Sequence, residues 1–130
     1  MHAILGAVEA RDHDAIDAQL ADDVSFTGPA VARAYVGKAL TSAILRGVDR
    51  IFSDLRYTRS VESADGRDIV LVFEASVGGT DINGCDLLHV DEDGKIDDIV
   101  VMVRPLSAAK DLSAALGSEF RQILADAAQS

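Results

Sequence analysis

One acid interrupts an otherwise apolar strand. Side chains alternate along Ile82-Asn83-Gly84-Cys85-Asp86-Leu87-Leu88-His89-Val90, so Ile82, Gly84, Asp86, Leu88 and Val90 share one face. Asp86 is the one polar residue on it. A lone carboxylate is very costly to bury, so this acid must find a partner, keep its proton, or line a cavity. A protonated Asp86 can donate to a carbonyl; an ionised one can accept from a hydroxyl or take an acidic proton. No cation shares its face. The structural alternative is a carboxylate held by a nearby arginine or tyrosine. Either phenol could donate to Asp86 or to a ligand: Tyr35, between the first strand and the third helix, is preferred, and Tyr57 lies on the first meander strand.

Other reactive residues offer less. His2, His13 and His89 lack metal-ligand spacing, and no cofactor motif is present: no Gly-rich phosphate loop, no Gly-x-Ser-x-Gly elbow, no Cys/His pair in register. No metal and no cofactor are expected. His13 reads as part of a helix cap, and His89 points away from Asp86. Asp91-Glu92-Asp93-Gly94 resembles a calcium loop only superficially. With Gly94 at position six, the twelfth position is Val100 rather than a carboxylate. Cys85 reads as a small apolar filler on the opposite face from Asp86. Arg104 is expected to pair with Glu74 across the sheet or at a subunit interface.

The rest of the chain must position these groups. At 130 residues it makes one domain, spanning 1–130, and 48% apolar content supplies a real core. The net charge of −10 repels phosphate backbones and anionic membranes, so neither nucleic acid nor membrane is an expected partner. No apolar run reaches the ~20 residues of a span. Met1-His2-Ala3-Ile4-Leu5 shows no signal-peptide pattern, and one cysteine fits a reducing compartment, so a cytoplasmic location is expected.

Periodicity predicts helices over 2–10, 13–21 and 38–52, with Val24-Ser25-Phe26-Thr27 as a short strand between the second and third. Asp12 or His13 caps the second helix. The period then changes to two. Strands are expected at 54–63, 67–77, 81–91 and 95–104, joined by turns at Asp65-Gly66, Gly78-Gly79 and Asp91–Gly94, as an antiparallel meander. A last helix over 108–127 carries Leu112, Leu116, Phe120, Ile123 and Leu124 on one stripe, suited to its own sheet or a partner chain.

Three stretches together carry a resemblance. They are Asp12-His13-Asp14-Ala15-Ile16 leading to Ala21-Asp22-Asp23-Val24-Ser25-Phe26, then Val36-Gly37-Lys38, then Leu87-Leu88-His89-Val90-Asp91-Glu92-Asp93-Gly94-Lys95-Ile96. The pattern resembles the NTF2-like superfamily in its SnoaL-like, polyketide cyclase-like branch, with a more distant similarity to ketosteroid isomerase. The resemblance covers about residues 3–105. It implies an α+β cone: three N-terminal helices packed on a curved antiparallel sheet around an apolar pocket, here with the C-terminal helix added. It places Asp86 at a catalytic acid position of the ketosteroid isomerases, but Gly28 and Ile4 stand where those enzymes carry their base and tyrosine. In the similar limonene-epoxide hydrolases an arginine stands where this chain has Gly84.

The expected pocket is therefore Asp86 as catalytic acid/base, with Phe26, Tyr35, Ile44, Leu71, Phe73, Gly84, Leu88, Val101 and Val103 against the ligand. The expected partner is a small apolar or cyclic molecule. Val70, Val72, Val100 and Met102 leave the outer sheet face half-apolar, which suits a homodimer. Two functions follow: a cyclase- or isomerase-type enzyme using Asp86, or a ligand-binding or dimerisation module without turnover. A second polar group aimed at the cavity would favour the enzyme.

Overall fold

The computed structural model describes residues 3–29 and 33–129. His2, offered as part of the first helix, lies outside them. Two short helices open the chain, α1 (Ile4–Glu9) and α2 (His13–Gln19). Asp12 caps α2, its carboxylate accepting from the Ala15 amide at 3.1 Å. Strand β1 (Leu20–Thr27) follows, longer than expected at its start, then a two-residue β2 (Tyr35–Val36) and helix α3 (Lys38–Ile51).

The meander occupies the places its periodicity predicts: β3 (Ser53–Glu62), β4 (Asp68–Val77), β5 (Thr80–Val90) and β6 (Ile96–Arg104). Its acidic turn is a hairpin device. The Asp91 carboxylate accepts from the amides of Asp93 and Lys95, both at 2.9 Å, and Gly94 takes a positive φ of 79°. The final helix, α4, runs Leu106–Ala128.

Six strands form one sheet, in the order β2-β1-β6-β5-β4-β3. Here the expectation needs correction. The sheet is mixed, because β1 runs parallel to β6, pairing Phe26 with Ile99. As expected, a strand separates the second and third helices; a two-residue β2 joins β1 there before α3. Closing the sheet against β6 gives Val24 and Phe26 a buried place that a detached strand would lack.

The core lies between helices and sheet in two clusters. One joins Ile4, Ile16, Leu20, Val24 and Ile44 to Leu71, Leu88, Ile96 and Ile99. The other joins Phe52, Phe73, Ala75 and Ile82 to Ala108 and Leu112 of α4. Helix α4 packs on α3. Gly47 allows this closeness, because a Cβ there would stand 2.8 Å from Ile123 Cδ1. Arg50 of α3 then pairs with Glu119 at 3.1 Å and Asp126 at 3.3 Å. No described helix is long and apolar enough to cross a membrane.

Candidate functional site

Asp86 sits in the middle of β5, with Leu71 opposite it on β4 and Val101 opposite it on β6. Directly paired residues share a face, so the carboxyl rises from an apolar wall. Protein surrounds it except where it meets a cavity of about 90 Å³. Among the described residues it has no hydrogen-bond or ion-pair partner. Burial pushes its pKa up to about 7, because a dry apolar wall disfavours the charged form.

The opposite wall is helical. Val8, His13 and Ile16 come from α1 and α2, and Leu45, Val48 and Asp49 from α3. Phe26, Gly28 and Pro29 close one side; Leu112 and Leu116 of α4 close another. His13 Nε2 lies 2.5 Å from Asp49 Oδ2, and both side chains are mostly buried. His13 Nδ1 is buried without a partner among the described residues. Tyr57 completes the polar set. Burial first, then the charges of Asp86 and Asp49, raise its phenol pKa above the ordinary value. Its ring meets Phe73 edge-on, with centroids 6.4 Å apart.

A second cavity of about 180 Å³ adjoins the first and shares Phe26, Gly28, Pro29 and Leu116 with it. Tyr35, Ile44, Ser113, Gly117 and Phe120 line the remainder.

Of the residues expected at the site, Asp86, Phe26, Phe73 and Val101 meet in the first cavity. Tyr35 and Ile44 belong to the second, where Tyr35 packs against Phe120 at 6.1 Å between ring centroids. The phenol sharing the Asp86 cavity is therefore Tyr57, not Tyr35. Leu71 and Leu88 are core, outside both cavities. Gly84 lines neither, and Val103 packs against the cluster around Phe73. Within the chain Arg104 does not pair with Glu74 across the sheet; Glu74 instead meets Arg56 at 3.0 Å on the outer face. His89, as expected, faces away from Asp86; it pairs with Asp97 at 2.6 Å.

His13 and Asp49 are the site residues that sequence reading missed. His13 opens α2, but the cap is Asp12, leaving the imidazole free to reach α3. Asp49 carried a legible signal. It falls on the inner stripe of α3, four residues after Leu45 and three before Phe52. An acid on an apolar helical stripe is the same anomaly as an acid on an apolar strand face.

Residues 1–99 match the SnoaL-like domain family. A steroid delta-isomerase from Pseudomonas aeruginosa is 37% identical over 93% of this chain and 88% of its own, with a TM-score of 0.86. An uncharacterized bacterial protein with a cystatin-like fold, from Silicibacter pomeroyi, is 32% identical over 92% of this chain and 86% of its own, with a TM-score of 0.85. An LEH-like epoxide hydrolase from M. tuberculosis shares the fold, with a TM-score of 0.59 and 21% identity over 89% of this chain and 84% of its own. No curated protein sequence matches the chain. With the family match covering most of the residues and two relatives above 30% identity, the chain belongs to the SnoaL-like domain family of NTF2-like proteins.

Proposed function

We propose that this protein is an acid–base enzyme of isomerase or cyclase type, acting on an apolar cyclic carbonyl compound through Asp86. The observation that supports this reading is the company Asp86 keeps. An unpartnered carboxyl on the sheet wall shares one small cavity with Tyr57, His13 and Asp49. A binder needs shape and one anchor; proton-transfer chemistry needs polar groups that converge. With its pKa about 7, Asp86 is divided between acid and base forms near neutrality, where a single group can both give and take a proton.

The cavities suggest the ligand's form. An apolar cavity of about 150 Å³ accommodates one benzene ring. The chamber at Asp86 is smaller, about 90 Å³, and opens beside a larger apolar one of about 180 Å³. An oxygen-bearing end at Asp86 with an apolar body passing Leu116 suits both. The name of the 37% identical relative, a steroid delta-isomerase, is in keeping with an apolar polycyclic ligand.

Thermal-shift screening of carbonyl-bearing cyclic compounds tests this. Ligands are expected to stabilise the wild type, and Asp86→Ala to weaken them more than Arg104→Ala does. A diverse apolar set with no binder would remove the pocket reading and leave a dimerisation module.

One observation supports assembly beside that reading. On the outer sheet face Val61, Val70, Leu87 and Val100 lie in one register row, and Val72, Cys85 and Met102 in the next. Val61 and Met102 are each more than half exposed. We infer that a second copy covers this face, since contiguous apolar surface of this kind marks an interface.

A further inference from the structure

We propose that His13, held by Asp49, is the second proton-transfer group of this pocket, taking a proton from the ligand at the helical wall while Asp86 gives one to the ligand's oxygen at the sheet wall. The proposal rests on the acid–base reading above and names its missing partner. The first support is the polarity of the pair. A carboxylate oxygen accepts, so the tautomer assigned to His13 in the 2.5 Å contact has its proton on Nε2. Nδ1 is then left with a free lone pair, the atom of a general base.

That nitrogen is buried and unpartnered among the described residues. Buried polar atoms are normally satisfied, and each exception calls for an explanation. His13 is among the residues lining the cavity, and the partner assigned to its buried Nδ1 is an occupant's polarised hydrogen.

Placement is the second support. Asp86 stands on β5, while His13 and Asp49 stand on α2 and α3 across the cavity. One cavity of about 90 Å³ is lined by Asp86, His13 and Asp49 together. A ligand seated on Asp86 therefore also meets the helical wall.

A His–Asp pair can form with no chemistry, as His89 and Asp97 do at 2.6 Å on the outer face. Two features separate His13 from that case: the shared cavity and the orphaned nitrogen.

The step balances without any co-reactant. The C–H bond beside the carbonyl breaks and its proton goes to His13 Nδ1. The C–H electron pair becomes the C=C of an enol, and the carbonyl π pair moves to oxygen, which takes the proton of Asp86. Return of the His13 proton to a conjugated carbon of an unsaturated ligand, and of the enol proton to Asp86, closes an isomerisation; return to the same carbon gives hydrogen exchange alone. Asp49 acts through His13, as a positioning residue that fixes the tautomer and stabilises the imidazolium.

The test uses 2-indanone as probe, in D2O, with α-proton exchange followed by proton NMR and binding by thermal shift. Wild-type protein should accelerate exchange above the buffer rate. His13→Gln should slow it by about a hundredfold with binding changed only a few-fold. Asp49→Asn, which keeps the shape, should slow it by about tenfold. Nitrogen-15 spectra of the wild type need no variant: the His13 Nδ1 signal should move on adding 2-indanone, and that of His89 should not. Exchange at the wild-type rate in His13→Gln, with Asp86→Asn inactive, would overturn the proposal and leave the Asp86 reading standing. An unmoved His13 signal during Asp86-dependent binding would overturn it equally. Absence of both binding and exchange in the wild type would defeat the acid–base reading itself, and this proposal with it.

Discussion

Asp86 pairs directly with Leu71 across the β4–β5 ladder, so a residue that cannot accommodate a charge stands directly opposite it. Leu71 is 1% exposed and offers no donor, and Val101 on the other side offers none. The carboxyl's polar outlet is the cavity.

Stability should therefore depend on pH through Asp86. Its folded pKa is about 7 against 3.8 in the ordinary state, so the folded protein holds the proton more tightly. Ionisation opposes folding, and stability from this group is lost as pH rises from about 4 to about 7. Asp86→Asn removes the cost. It should raise stability by on the order of 2–4 kcal/mol at pH 8 and have little effect at pH 4. Melting curves of both proteins across that range decide the matter; a large loss at pH 8 would indicate an ionised, paired Asp86 instead.

Gly84→Ala should cost about 3 kcal/mol or more, by overpacking. A Cβ at Gly84 would stand 2.4 Å from the Met102 carbonyl oxygen and 2.8 Å from Phe73 Cζ. The first obstacle is backbone and cannot swing aside. Denaturant midpoints measure the loss, and a near-wild-type value would show that β5 and β6 can part.

Ligand length should be set at Leu116 and Ser113. Leu116 lines both chambers, and Ser113 lines only the second. Ser113→Phe should exclude two- and three-ring ligands and spare single-ring ones. Leu116→Ala should do the reverse, favouring longer ligands by about tenfold at some cost in stability. Equal affinity shifts across ligand sizes would argue that the second chamber plays no part.

Assembly should follow the outer sheet face. Light scattering at micromolar concentration is expected to give twice the 13.7 kDa chain mass. Met102→Glu should return the monomer, because Met102 stands 55% exposed at the β6 end of its apolar row. A monomeric wild type would leave that face unexplained by self-association.

The amino-acid sequence by itself determined the element types, the meander and its turns, and the placing of Asp86 on an inner face. These are local properties. Period-two alternation fixes which face a residue takes, and Asp91-Glu92-Asp93-Gly94 carries its own turn geometry in its side chains. Tertiary structure decided the rest. Strand β1 found β6 as a parallel neighbour through a contact some seventy residues away, which no local pattern announces. Tyr57 rather than Tyr35 shares the Asp86 cavity because of how β3 meets β4 beside Phe73. His13 and Asp49, 36 residues apart, meet only because α2 packs against α3. Asp86 and Asp49 were each visible alone, as a polar group where an apolar one belonged; His13, at the start of a helix, was not. Which of them would converge depended on how helices and sheet close on one another, and packing between distant elements settles that.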